Sequence, residues 1–136
     1  MINPQPLLFD CSFLVAYEQD KLRRAQAFLL EGLTDGRIMV APALSLAVAA
    51  TELRGHTREL SWLVDDPEGP LQVLPLSAMN ALEIGALITE AGPVEAQRLE
   101  LAHVVYEARA IRAVVITYEP KAYDGYRLDV IDMRPQ

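Results

Sequence analysis

The sequence predicts an α/β fold, a parallel sheet of about five strands with helices packed on both faces. Three observations predict it. Short apolar runs at residues 7–10, 37–40, 71–74, 113–117 and 128–133 alternate with segments of helical periodicity. Such alternation implies strand–helix–strand units, parallel pairing and right-handed crossovers. The chain has 136 residues, of which 51% are hydrophobic, enough to bury about 70% of the unfolded surface around one core. Finally, two of the apolar runs stop at an acid, Asp10 in LLFDCSFLVA and Glu119 in AVVITYEP. Ligands of open parallel sheets bind at the carboxyl ends of strands, so these acids mark a candidate cleft.

The elements follow in order. Residues 7–10 read as a buried strand, with Ser12 as N-cap of the helix FLVAYEQ. A second helix is expected from Asp20 to a glycine stop at Gly32, with Leu22, Ala25, Phe28 and Leu29 at helical spacing. Residues 37–40 form a strand, Pro42 opens the helix ALSLAVAATELRG, and Gly55 ends it. A weaker helix covers HTRELSWLV, and DDPEGP at 65–70 is a loop. A strand at 71–74 precedes helices at 77–91 and 94–111, which Gly92 and Pro93 separate. A strand at 113–117 and an edge strand at 128–133 complete one domain spanning residues 1–136.

Twelve basic residues against nineteen acidic ones give a net charge of −7. Such a chain lacks the global positive field that drives non-specific nucleic-acid binding, although a local basic patch could still steer RNA. The single cysteine, Cys11, excludes an internal disulfide framework and suits a reducing cytosol. No apolar run reaches the length of a membrane span, and Pro4 and Pro6 interrupt the N-terminus where a signal peptide would begin. A cytoplasmic location is expected.

The two strand-end phrases carry a resemblance. An apolar run, an aspartate, any residue and then serine, as in LLFDCS, resembles the opening strand of PIN-domain proteins. VITYEP resembles their later strand, which ends in threonine, any residue and an acid. APALSLAVAA and LAHVVYEARAIRAVVIT are similar to the PIN helices that follow the second strand and lead into the fourth. The order and spacing agree over nearly the whole chain, and the overall appearance is that of the small VapC-type toxins, metal-dependent ribonucleases paired with antitoxins.

The resemblance implies a three-layer α/β/α fold and four acids that hold Mg²⁺ or Mn²⁺. Asp10 matches the first acid and Glu119 the last, with Ser12 and Thr117 as supporting hydroxyls. The other two positions are apolar: Val48 stands in Leu46-Ala47-Val48-Ala49 where a glutamate is usual, and Leu101 stands sixteen residues before Thr117. Glu52, one turn beyond Val48, and Glu100, beside Leu101, are the possible substitutes. Two carboxylates hold Mg²⁺ poorly, because the ion demands octahedral oxygen ligation and gives up water reluctantly. The expectation is therefore a degenerate site with no metal bound, in a catalytically impaired protein that acts by binding a protein or RNA. The alternative is an active Mg²⁺- or Mn²⁺-dependent endoribonuclease using Asp10, Glu119 and a displaced acid. Expected partners are an antitoxin-like protein or a second copy, through the apolar runs of 42–54 and 94–111, with no membrane.

Plainer roles stand beside these. Asp10 could be only a helix cap, Glu119 a solvated turn acid, Cys11 a small buried hydrophobe and Trp62 a packing anchor. His103 is expected to be hydrogen-bonded between helices, and Lys21, Arg23 and Arg24 to form a solvated basic face. Tyr118, Lys121 and Tyr123, with Tyr126 and Arg127 nearby, are either a base-stacking, anion-holding cluster or a loop packed over an apolar edge.

Overall fold

A computed structural model describes residues 4–20, 23–65, 69–89 and 98–135. Five short strands, β1 (Leu7–Phe9), β2 (Met39–Pro42), β3 (Gln72–Leu74), β4 (Val114–Thr117) and β5 (Val130–Asp132), form one sheet in the order β3-β2-β1-β4-β5. Every neighbouring pair is parallel, with Leu7 opposite both Met39 and Val114. The three inner strands are buried residue by residue, which is why they read as continuous apolar runs rather than alternating ones.

Successive side chains leave a strand on opposite faces, and the core divides accordingly. Leu7, Phe9, Met39, Ala41, Val114 and Ile116 pack with α1 (Cys11–Gln19), α2 (Arg24–Thr34), α3 (Ala43–Glu52) and α4 (Arg58–Val64). Phe13 of α1 stacks on Phe9 with ring centroids 4.3 Å apart. Leu8, Val40 and Val115 pack on the other side against Val104, Val105 and Ala108 of α6 (Leu99–Ile111). The remaining helix, α5 (Ala78–Thr89), covers α6 through Ile84, Ile88 and Ala102. Among the described residues no helix is long and apolar enough to cross a membrane.

Several boundaries differ from the sequence expectation, each for a local reason. Asp10, not Ser12, is the N-cap of α1, because its carboxylate accepts from the Phe13 N–H at 3.0 Å. The second helix starts at Arg24, since Arg23 adopts a left-handed conformation; Asp20 still caps it, accepting from the Arg24 and Gln26 N–H groups. Gly32 does not stop that helix. It lies inside, where an added Cβ would sit 3.1 Å from Leu7 and 3.2 Å from Met39, so the glycine lets α2 approach the sheet. Gly36, at φ +71°, is the residue that lets the chain turn away. The second strand runs from Met39 to Pro42 rather than 37–40, and the last is confined to Val130–Asp132. Lys21 and Leu22, residues 66–68 of the expected loop, and the helical boundary at 90–97 lie outside the described residues.

Candidate functional site

The carboxyl ends of β1 and β4 meet at Asp10, which is 4% exposed. Its side chain is held from four directions. Oδ1 accepts from the Phe13 N–H at 3.0 Å and from the Ser12 hydroxyl at 2.7 Å. Oδ2 accepts from the Thr117 hydroxyl at 2.5 Å and from the Tyr123 hydroxyl at 2.7 Å. An ionised carboxylate offers about four lone-pair positions, and here the protein's own donors fill them all.

The hydroxyls are themselves placed by backbone. Ser12 Oγ accepts from the Tyr118 N–H at 2.9 Å, and Thr117 Oγ1 from the Glu119 N–H at 2.8 Å. Each hydroxyl has one proton and gives it to Asp10, so the 3.1 Å approach of Ser12 Oγ to Thr117 Oγ1 is a contact within the network. Tyr123 arrives on the 3₁₀ turn Pro120–Tyr123, which begins directly after Glu119. Burial and the neighbouring Asp10 charge both push its phenol pKa above the ordinary value, so it stays a donor.

Glu119 leaves this network. Its side chain is exposed at the cleft mouth and accepts from Nη1 of Arg98 at 3.1 Å. Nε of the same guanidinium binds Glu100 Oε1 at 2.6 Å. One arginine thus joins the first turn of α6 to the end of β4. Burial disfavours its charge, but the hydrogen bonds to Glu100 and Glu119 raise its pKa overall. Glu52 is exposed on α3 and approaches the Cys11 thiol, with Sγ 3.7 Å from Oε1. Burial first, and then the Glu52, Asp10 and Glu100 charges, push that thiol up to about 12, far from the thiolate a nucleophile needs.

The two apolar substitutions pack against the core. Val48 packs against the Leu7–Phe9 face of the core and Leu101 against the Leu8–Val115 face, both half-buried. A Mg²⁺ or Mn²⁺ ion of the kind the resemblance implies does not fit these donors. Asp10 has no free acceptor position, Glu119 and Glu100 each give one oxygen to Arg98, and Val48 and Leu101 offer no oxygen. Among the described residues no three histidine, cysteine, aspartate or glutamate side chains converge as metal ligands do.

The tyrosine-rich segment turns mostly inward. Tyr123 is buried on Asp10, and Tyr118 is half-buried with its ring 6.4 Å from Phe13. Lys121 and Arg127 are exposed, and Arg109 lies over the Tyr126 ring at 5.8 Å. His103 is fully buried, its Nδ1 accepting from the Leu44 N–H at 3.5 Å, which ties α6 to α3. Trp62, expected as a packing anchor, is 77% exposed on α4 because Leu60 and Leu63 occupy that helix's core-facing positions.

Arg98 and the inward role of Tyr123 were not anticipated from the sequence. The only local signal for Arg98 is Glu100 two residues on. Its second partner lies 21 residues away, and Tyr123 lies 113 residues from Asp10.

A scan against protein-family models matches no family, and a search of curated proteins returns no match. The fold itself, a five-stranded parallel sheet in the order β3-β2-β1-β4-β5 between helical layers, is consistent with the PIN family without being specific to it.

Proposed function

We propose that this chain is a PIN-like domain of VapC type that carries no metal-dependent nuclease centre and acts by binding a protein partner. One observation carries the reading: every acceptor position of Asp10 is filled from within the chain, by Phe13, Ser12, Thr117 and Tyr123. A carboxylate used to knit β1, α1, β4 and the following turn together is an architectural group. Placing an ion on it would break hydrogen bonds to a charged acceptor, each worth about 1.5–3 kcal/mol.

A protein partner is favoured over RNA for two reasons. The net charge of −7 opposes a polyanion, and of the tyrosines that could stack on bases Tyr123 is buried on Asp10 and Tyr118 half-buried against Phe13. Large apolar side chains in solvent point the same way. Met79 and Leu82, one turn apart on α5, are 82% and 80% exposed, and together they offer apolar surface that a protein partner would cover. Of the apolar runs at 42–54 and 94–111, the parts within α3 and α6 also contribute to the core. Helix α6 buries Ala102, Val104, Val105 and Ala108, and α3 packs between α1 and α6.

The test is direct. Purified protein incubated with single-stranded RNA and Mg²⁺ or Mn²⁺ should cleave no more than Asp10→Asn does. Divalent-dependent cleavage that disappears in Asp10→Asn would sink the proposal and establish the ribonuclease alternative, with Glu52 or Glu100 displaced into the ligand set. Mass measured by size-exclusion chromatography with light scattering then separates a heterologous partner from a second copy.

A further inference from the structure

We infer that Arg98 is the built-in counter-ion of the strand-end cleft, a guanidinium doing between Glu100 and Glu119 what a divalent cation would do between carboxylates. The inference rests on the proposal that the cleft holds no metal centre, and it names what replaces one.

The geometry is that of a bridge rather than a chance surface pair. Arg98 is the residue that precedes α6, and its own side chain caps nothing on that helix. The guanidinium is instead divided between two carboxylates on different elements. Nε lies 2.6 Å from Glu100, whose side chain is only 13% exposed, and Nη1 lies 3.1 Å from Glu119. Among the described residues, no other cation pairs with Asp10, Glu52, Glu100 or Glu119. Four acids therefore approach the ends of β1, β4, α3 and α6 with one bonded positive charge among them.

A planar guanidinium suits this task because it is always charged and presents several fixed donors. It can meet two carboxylates at once without giving up a tightly held hydration shell, which Mg²⁺ resists losing. Val48 and Leu101 supply no carboxylate at their positions, so the guanidinium is left with Glu100 and Glu119 as its two bonded partners.

The experiment uses full-length protein freed of metal by chelation, with Mn²⁺ alone as the probe and thermal unfolding as the readout. Wild type should melt at the same temperature with and without millimolar Mn²⁺. Arg98→Gln should melt lower and recover with Mn²⁺, by about 3–6 °C when the ion exceeds its dissociation constant tenfold. Arg98→Lys keeps the charge but loses the fork, and should melt between the two and ignore Mn²⁺. If Arg98→Gln does not fold, the lysine variant carries the test: recovery of its melting temperature by Mn²⁺ would overturn the inference, and indifference to Mn²⁺ upholds it.

Two results overturn the inference while leaving the proposed function standing. In one, Arg98→Gln melts with wild type; in the other, it melts lower and is indifferent to Mn²⁺. Stabilisation of wild type by Mn²⁺ also overturns it. Only RNA cleavage that requires the ion and Asp10 defeats the parent proposal as well.

Discussion

At the scale of single residues, Asp10 concentrates more of the architecture than any other polar group described here. It caps α1, takes a proton donor from β4 and anchors the turn after it. Tyr123→Phe keeps the ring in the core but removes one donor to a buried charge. It should cost about 1.5–3 kcal/mol of stability in urea unfolding. Asp10→Ala strips the cap and leaves three hydroxyls and an N–H without their acceptor, and should cost more, about 3 kcal/mol or above. Both losses should be the same with chelator as with Mn²⁺, which a metal-ligand role for Asp10 would not allow. Asp10 and Glu119 were legible in the sequence because a strand-end acid is a local signal. The partners that decide their chemistry were not. Nothing near Tyr123 marks its hydroxyl as bound for Asp10, and Arg98 gives no local sign of reaching Glu119; folding alone brings each to its partner.

At the scale of elements, two polar ties join helices that apolar packing alone would leave free to slide. Helix α4 has seven residues and no side-chain cap of its own, too short to persist unaided. Glu18, at the end of α1, supplies the cap from 41 residues away. Its carboxylate accepts from the Glu59 and Leu60 N–H groups at 3.0 and 3.1 Å. Glu18→Ala should cost about 1 kcal/mol; amide hydrogen exchange should accelerate across α4 while α6 stays protected.

The second tie is His103. Burial lowers its pKa from the ordinary 6.5, so the unfolded chain binds the proton first. The stability that a neutral His103 contributes is complete above about pH 6.5 and is lost as the pH falls toward the lowered value. Glu107, 3.8 Å from His103 Nε2, acts in the opposite sense. Burial raises its pKa from 4.5 while the Asn80 hydrogen bond lowers it, so what it contributes is present at low pH and lost as the pH rises. In unfolding measured between about pH 7 and about pH 5.5, wild type should lose more stability on acidification than His103→Gln does, since the variant lacks the buried imidazole and keeps Glu107. The order of strands and helices was legible, since short continuous apolar runs bounded by turn residues stand apart from longer segments of helical periodicity. Boundaries such as Gly32 were not, because a glycine chosen for close packing on Leu7 and Met39 looks identical to one chosen for a stop.

At the scale of the whole molecule, a surplus of seven negative charges opposes compaction. Raising NaCl from about 10 to about 200 mM should screen that repulsion and raise the melting temperature by about 1–3 °C. Arg98→Gln should gain more from salt than wild type does, since its cleft acids have lost their counter-ion. A melting temperature that falls with salt would show ion pairs, not self-repulsion, to be the dominant electrostatic contribution.

The placement of β1 has a consequence for how the chain is made. This first strand lies at the centre of the sheet, and one of its edges pairs with β4, more than a hundred residues later. During synthesis β1, β2 and β3 can assemble early, but the second edge of Leu7–Phe9 stays bare until residues 114–117 emerge. Until then the nascent protein presents an unpaired, wholly apolar edge, the kind that invites pairing with another chain. A chain truncated after Ile111 should bind a hydrophobic dye and aggregate, whereas one carrying β4 and Tyr123 should not. The same late arrival that completes the sheet also delivers the donors that seal Asp10, so closure of the cleft and escape from that hazard are a single event.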